Sequence, residues 1–348
     1  MTLVAAVAGE IPVLMGDILL SRRVQSPVTI PGRSNPEAAV RSADGFYVSG
    51  LTQKLAIIRP WFAMGWAGSY QQASTFIRWL YCNLPKDIPE ISHLFLKINE
   101  YDQENLSECD MIFCYGDLDR GFATWLVDST TKSLIVNPMT FGDINCYAVG
   151  SGIPDLVKVI DTFQIYKEYG DISRNANDVA TAMGFMALSM QTNFDHNGGF
   201  ENAWGAGFEV LSGSKDGFKK LDNFVVIFSA SEIDGISHAG YSMYCCYVGH
   251  HLVMIPFTPK GEFSAHFISP SRGSKYNLPN LKINRRLSGI VHAALPHEGE
   301  KVKMLVKMNI GGGIEGTRVR VGNASASLEL SEGLIQEVFE GLAQVPIF

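Results

Sequence analysis

The sequence lacks the features that mark nucleic-acid-binding, secreted and membrane proteins. No block of lysine and arginine stands out, and the 348 residues carry a formal net charge of -7, which argues against nucleic acid as the main partner. No apolar run is long enough to span a membrane, and the first residues have neither the basic start nor the long apolar region of a signal peptide. We therefore expect a cytoplasmic protein that binds neither nucleic acid nor membrane.

The sequence also has few cysteines, no internal repeat and no low-complexity tract. The cysteines are scattered through apolar runs, which is typical of reduced core residues in a cytosolic protein. Hydrophobic residues make up 46% of the chain and charged residues 18%, so it can bury a sizeable core in one large domain or two ordinary ones. The six cysteines are Cys82, Cys109, Cys114, Cys146, Cys245 and Cys246.

Two stretches have the residue types of a metal or phosphate site without the required arrangement. Cys245-Cys246 precedes His250-His251, yet residues 244–248 are typical of a buried strand, on which adjacent side chains point to opposite faces. The glycine-rich residues 311–316 lack the Lys-Ser/Thr pair of a phosphate-binding loop and favour a turn between strands. We therefore expect neither a metal nor a cofactor.

The first seventeen residues are the stretch around which we expect the fold to be built. Two apolar runs flank the turn Ala8-Gly9-Glu10, a pattern that predicts a β-hairpin starting at the chain terminus. Residue 2 is small, so we expect removal of Met1, and Thr2 would then carry the α-amine. That amine titrates near pH ~8 and can act as a base toward the hydroxyl of the same residue. Asp17 ends the second strand, where the hairpin brings it back beside Thr2.

The rest of the chain alternates strands with pairs of helices. A polar, turn-rich insertion occupies residues 20–50; strands then precede helices at 70–83 and 89–101, and a second group of strands precedes helices at 154–166 and 175–190. This order predicts an α+β fold of two packed sheets with helices on both outer faces, a four-layer αββα sandwich. We assign residues 1–230 to this domain and residues 231–348 to a β-rich C-terminal extension that closes with a helix at 328–342.

Four local patterns resemble the β-subunits of the proteasome and their bacterial relatives, within the N-terminal-nucleophile (Ntn) hydrolases. They are the hairpin from Thr2 to Gly16-Asp17, the lysine-initiated strand Lys54-Leu55-Ala56-Ile57-Ile58, the turn Ala67-Gly68 before a long helix, and Ala148-Val149-Gly150-Ser151-Gly152 before another helix. The resemblance covers roughly residues 2–230. It implies the same sandwich fold and a threonine nucleophile.

The resemblance implies a role for three residues at the reacting hydroxyl. The Thr2 Oγ would attack a carbonyl carbon while its own amine relays the proton. Lys54 would lie beside this hydroxyl, where its positive charge favours the alkoxide. Asp17 would pair with Lys54 and offset the cost of burying it. Without the resemblance, Asp17 is interpreted as a turn residue and Lys54 as a strand-edge lysine.

Three further residues complete the implied site. The Gly68 N–H would be the oxyanion donor, since glycine lets the backbone approach a substrate closely. Ser151 and Asp195 would hydrogen-bond the terminal amine and set its basicity. The sequence departs from the family pattern in three places: the hairpin is one residue shorter than usual, the insertion after it is longer, and Gly198 stands where the family often has a serine three residues after the aspartate.

The implied function is hydrolysis of amide or peptide bonds by an N-terminal threonine, with a peptide or small amide as substrate. Because proteasome-like subunits form closed rings, we also expect a homo-oligomer. The alternative is a catalytically inactive assembly or interaction protein, since the family includes subunits that build rings without catalysis. Removal of Met1 separates the two, because a retained Met1 blocks the amine.

Overall fold

The structure is a computed structural model, and it describes residues 2–23, 30–31, 45–130, 133–135, 137–141, 144–169, 205–232, 235–257, 264–271, 281–295, 302–309, 312–322 and 325–340. In chain order the strands are β1 (Val4–Val7), β2 (Val13–Asp17), β3 (Leu19–Arg22), β4 (Tyr47–Leu51), β5 (Leu55–Arg59), β6 (Phe62–Gly68), β7 (Cys109–Asp117), β8 (Gly121–Asp128), β9 (Ser133–Ile135), β10 (Met139–Phe141), β11 (Ile144–Val149), β12 (Phe163–Tyr169), β13 (Phe208–Ser212), β14 (Lys219–Lys220), β15 (Phe224–Glu232), β16 (Gly235–Val248), β17 (His251–Phe257), β18 (His266–Ile268), β19 (Ile283–Arg285), β20 (Gly289–Leu295), β21 (Val302–Met308), β22 (Thr317–Val321) and β23 (Ala326–Leu330). The helices are α1 (Tyr70–Asn83), α2 (Ile91–Asn99), α3 (Ile153–Thr162) and α4 (Glu332–Ile335), with a 3₁₀-helix at Gln103–Leu106 and a π-helix at Gln336–Glu340.

The N-terminal hairpin lies at the centre of a six-stranded sheet, in which the strand order is β10-β11-β1-β2-β13-β14. β1 pairs antiparallel with β2, from Val4 opposite Gly16 to Val7 opposite Val13. Every residue of both strands is buried, because other sheets cover both faces of the hairpin. The predicted hairpin is confirmed.

A five-stranded sheet packs on one face of this central sheet. Its order is β5-β6-β7-β8-β9, and each neighbouring pair is antiparallel. Val4, Ala6 and Leu14 of the hairpin share a core cluster with Ala63 and Ile112 of this sheet. The five-stranded sheet thus buries one face of the hairpin.

Helices α1 and α2 cover the outer face of the five-stranded sheet. Helix α1 has its predicted bounds, and Ser69 caps its N-terminus by accepting the N–H of Gln72. Its apolar residues recur at helical spacing, and Phe76, Ile77 and Leu80 are buried in the cluster beneath it. Helix α2 is shorter than the predicted 89–101.

A seven-stranded sheet packs on the other face of the central sheet. Its order is β12-β21-β20-β15-β16-β17-β18, and Val226, Met243 and Val291 share a cluster with Leu3 and Ala5. A three-stranded sheet, β19-β22-β23, and helix α4 pack against its far side. Residues 224–228 of β15 are all apolar, which suits a strand segment that is buried on both faces.

The predicted four-layer αββα sandwich is wrong. The described residues form five separate sheets, and the seven-stranded sheet covers the central sheet where the sandwich would have its second layer of helices. The strands β15, β16 and β17 are apolar on both faces, so a sheet built from them can be buried on both sides. It supplies the apolar cover that the prediction expected from helices.

Two predicted helices have different bounds in the structure. The helix predicted at 154–166 ends at Thr162, because Phe163–Tyr169 continues as β12 and pairs in parallel with β21. The helix predicted at 328–342 is wrong over its first part, where Ala326–Leu330 forms β23 and pairs with β22. A short helical segment follows. The helix predicted at 175–190 lies outside the described residues.

The division at residue 230 stays a prediction. β15 spans it, and the seven-stranded sheet combines β12 from before it with six strands that begin at residue 224 or later. Within the described ranges, no helix is long and apolar enough to cross a membrane.

The insertion predicted at 20–50 begins and ends with paired strands. β3 and β4 form a two-stranded antiparallel sheet, from Leu19 opposite Leu51 to Arg22 opposite Tyr47. Residues 24–29 and 32–44 of the insertion lie outside the described part of the chain.

Candidate functional site

The register of the hairpin determines where Asp17 lies. The Asp17 N–H donates to the Leu3 carbonyl over 2.9 Å, and the Leu3 N–H donates to Asp17 Oδ1 over 3.0 Å. Asp17 thus holds the residue directly after Thr2. Both Asp17 and Thr2 contact the Nζ of Lys54.

Four donors converge on the fully buried carboxylate of Asp17. Oδ1 accepts from Lys54 Nζ at 2.6 Å as well as from Leu3, and Oδ2 accepts the N–H groups of Leu19 at 3.3 Å and Gly205 at 2.9 Å. Buried polar groups need hydrogen-bond partners. These donors supply partners for both oxygens of Asp17 in a place that water does not reach.

Lys54 is also fully buried, and its ammonium bridges the carboxylate and the threonine. Nζ donates to Asp17 Oδ1 over 2.6 Å and to Thr2 Oγ1 over 2.8 Å. Burial lowers the pKa of Lys54, and the negative charges of Asp17 and Glu209 oppose that effect. An ammonium held against a buried hydroxyl stabilises the alkoxide, so this geometry can make Thr2 easier to deprotonate.

The turn Gly150-Ser151-Gly152 surrounds the backbone of Thr2. The Thr2 nitrogen donates to Ser151 Oγ over 3.2 Å, and the Gly152 N–H donates to the Thr2 carbonyl over 3.1 Å. Gly150 has a φ of +99°, and a Cβ there would lie 2.1 Å from the Thr2 carbonyl oxygen, so the position requires glycine. Removal of Met1 would turn the Thr2 nitrogen into an α-amine that has Ser151 as its neighbour.

Gly68 is the last residue of β6, two residues after Trp66. The Trp66 N–H donates to the Lys54 carbonyl over 3.2 Å, whereas the Ser69 N–H donates to the Glu108 carbonyl on the other side. N–H groups alternate in direction along a strand, so the Gly68 N–H points the same way as that of Trp66. The residue is exposed, with a φ of +104°. Its orientation is compatible with an oxyanion donor.

The structure therefore brings together Thr2, Asp17, Lys54 and Ser151. Asp195 lies outside the described residues, and its role stays a prediction. The sequence reasoning missed Glu209, a second buried carboxylate whose charge acts on Lys54. An acidic residue inside the apolar run Phe208-Glu209-Val210-Leu211 was the available signal, because a charge in a buried strand needs a partner.

The two adjacent cysteines lie on opposite faces of β16. Cys245 packs in the cluster that faces the central sheet, and Cys246 packs in the cluster on the far side. Burial raises the pKa of Cys246 to about 12 and that of Cys245 well above its usual value, so both are neutral thiols. Across the part of the chain that the structure describes, no group of three or more His, Cys, Asp or Glu side chains could hold a metal ion.

A scan of the chain against protein-family models finds no match, and a search of curated proteins finds none either. The resemblance to proteasome β-subunits therefore rests on the residues that carry it.

Proposed function

We propose that the chain hydrolyses amide or peptide bonds with the hydroxyl of Thr2 as nucleophile, after removal of Met1. The observation that carries this proposal is the 2.8 Å hydrogen bond from the buried Lys54 ammonium to Thr2 Oγ1. A lysine is costly to bury, and pairing with Asp17 alone offsets only that cost. A second contact with a hydroxyl is explained by a role in activating that hydroxyl.

The reaction would proceed in two steps. The α-amine takes the proton from Thr2 Oγ as this oxygen bonds to the substrate carbonyl, and the Gly68 N–H donates to the oxyanion that forms. The C–N bond then breaks, the amine product leaves with the proton, and an acyl ester remains on Thr2. Water attacks the ester while the α-amine accepts its proton. The acid product is released, and the proton returns to Thr2 Oγ.

The remaining expectations belong to the same proposal. The substrate is a peptide or a small amide, the chain acts in the cytoplasm, and Asp195 shares the α-amine with Ser151. A homo-oligomer is supported by exposed apolar residues on α2, where Leu96 is 66% exposed and Ile91 is 37% exposed. Light scattering at micromolar concentration tests this expectation, and a monomer contradicts it.

A second candidate function is that of an inactive assembly or interaction protein. One observation favours it: Thr2 is only 2% exposed, whereas a nucleophile must be reached by its substrate. The two functions differ in the processing of Met1, since a retained Met1 leaves the Thr2 nitrogen in a peptide bond, where it is not basic.

Intact-mass measurement combined with a probe that acylates N-terminal threonine tests the proposal. We expect loss of Met1 and addition of one acyl group, which peptide mapping assigns to Thr2. Thr2→Ser should still react, because it keeps a hydroxyl, and Thr2→Ala should not. Retention of Met1, or equal labelling of Thr2→Ala, would contradict the hydrolase and leave the assembly protein.

A further inference from the structure

Glu209 is a buried carboxylate that the proposed reaction does not use. It lies in β13 opposite Gly16, and its side chain is 0% exposed. Its Oε1 accepts the N–H of Leu55 over 2.6 Å. Because β5 is at the edge of its sheet, this carboxylate takes the place of an acceptor from a neighbouring strand. Glu209 thus holds the backbone directly after Lys54.

Lys220 acts on the residue directly before Lys54. Its Nζ donates to Gln53 Oε1 over 2.5 Å and to Glu209 Oε2 over 2.5 Å. The Gln53 Nε2 in turn donates to two backbone carbonyls, each over 2.7 Å. One ion pair therefore contacts the residues on both sides of Lys54.

We propose that Glu209 and Lys220 form a clamp, the Glu209–Lys220 clamp, that fixes residues 53–55 and so positions the Lys54 ammonium against Thr2. Side chains alternate in direction along an extended backbone, so a clamp on the residues before and after Lys54 leaves its own side chain to project to the other side, where Thr2 and Asp17 lie. Both clamp residues are positioning residues, since neither touches the reacting hydroxyl in the contacts described above. The catalytic meaning of the clamp rests on the proposed function.

The clamp also has an electrostatic effect of predictable sign. The negative charge of Glu209 favours the protonated form of Lys54, and Lys220 offsets part of that charge. Tyr247 donates its hydroxyl to Glu209 Oε2 over 3.2 Å. Burial, together with Glu209, raises the pKa of Tyr247 well above its usual value, so that hydroxyl stays a donor.

Within the described ranges, the charged and titratable groups that act on Lys54, directly or through Glu209, come from four strands. Asp17 on β2 pairs with it directly, Glu209 on β13 acts through its charge, and Lys220 on β14 and Tyr247 on β16 act on Glu209. The α-amine that removal of Met1 would create adds one further group on the Thr2 side. Each test variant therefore changes one of these groups and leaves the others as they are.

The experiment is an NMR titration of the Lys54 side chain in the full chain, labelled with ¹³C-lysine and assigned by the signal that Lys54→Met removes. Glu209→Gln keeps an acceptor for the Leu55 N–H but loses the charge, so we expect it to lower the Lys54 pKa relative to the parent chain. Lys220→Met removes the positive charge that offsets Glu209, so we expect it to raise the Lys54 pKa. The two shifts have opposite directions, which a loss of packing alone does not produce.

Two controls accompany the titration. Lys220→Arg keeps the positive charge and should leave the Lys54 pKa close to that of the parent chain. Lys219→Met removes the neighbouring surface lysine, which is 58% exposed and pairs with Asp216, and should change nothing. Lys220 lines a cavity of about 420 Å³, so its replacement has room to be accommodated.

The proposal is overturned if Glu209→Gln and Lys220→Met shift the Lys54 pKa in the same direction or not at all. If Glu209→Gln does not fold, the comparison of Lys220→Met with Lys219→Met decides. Where hydrolysis is measurable, kcat of Glu209→Gln should fall about tenfold with KM unchanged. The titration needs no hydrolysis, so opposite shifts in a chain without activity would keep the clamp and reject the proposed function.

Discussion

Replacing Lys54 with methionine tests the proposed chemistry most directly. Lys54→Met removes the ammonium and keeps an unbranched apolar side chain of similar length. Asp17 then loses one of its four donors and keeps the three backbone N–H groups of Leu3, Leu19 and Gly205. The substitution therefore removes the charge that faces Thr2 while most of the surrounding structure is unchanged.

Both expected magnitudes follow from this geometry. Breaking a buried ion pair costs about 3–5 kcal/mol of stability, and the three remaining donors put the loss near the lower end, at about 3 kcal/mol. Loss of a charge that stabilises the alkoxide should reduce hydrolysis ~10³-fold or more, which corresponds to about 4 kcal/mol of activation free energy.

Urea unfolding measures the first effect, and the rate of acylation by a probe for N-terminal threonine measures the second. Lys97→Met is the matched control, because Lys97 pairs with Glu100 on the surface and its side chain is 34% exposed. We expect the control to unfold within ~0.5 kcal/mol of the parent chain and to react at the same rate. A Lys54→Met chain that is as active and as stable as the control would refute the assignment of Lys54.

Three further predictions concern the surroundings of this site and the core. Asp17→Asn should reduce the acylation rate less than Lys54→Met does, since the aspartate only positions the ammonium; equal losses would contradict this order. Gly150→Ala should destabilise the chain by about 3 kcal/mol or more in urea unfolding, because its Cβ would lie 2.1 Å from a carbonyl oxygen. Gly121→Ala is the control: Gly121 has a φ of +80°, a Cβ there would meet nothing within 4 Å, and the substitution should cost only about 1 kcal/mol. Burial lowers the pKa of His292 to about 4, so as the pH falls the imidazole is protonated in the unfolded chain before it is protonated in the folded chain. The free energy of unfolding should therefore drop by about 2 kcal/mol from pH 7 to pH 5. His292→Asn should lack this part of the decline, and an identical decline in both chains would argue against it.

Local elements followed from the sequence because the signals that specify them lie within a few residues. The apolar runs around Ala8-Gly9-Glu10 predicted the hairpin, and the helical pattern at 70–83 predicted α1. In β22, buried and exposed residues alternate, as the sequence Thr-Arg-Val-Arg-Val indicates. Periodicity and capping are properties of neighbouring residues, so a single sequence displays them.

The order of layers did not follow from the sequence, because it depends on pairings between distant segments. The sequence predicted residues 163–166 as the end of a helix, yet Phe163–Tyr169 pairs with Val302–Met308, more than a hundred residues away. The cover on the hairpin's second face likewise comes from strands that begin at residue 224 or later. Apolar strands can be buried by a helix or by another sheet, and composition does not distinguish the two.

The candidate site divides in the same way. The sequence by itself supplied Thr2 and Asp17, because one hairpin relates them, and the family resemblance added Lys54 and Ser151 through short motifs. Only the tertiary structure placed the Gly205 N–H against the Asp17 carboxylate. It also placed Glu209 against Leu55 and Lys220 against Gln53, on either side of Lys54. Those contacts join residues separated by 188, 154 and 167 positions in the chain. A buried charge is satisfied by whatever donors and acceptors the packed fold brings to it, and a linear sequence does not state which these are.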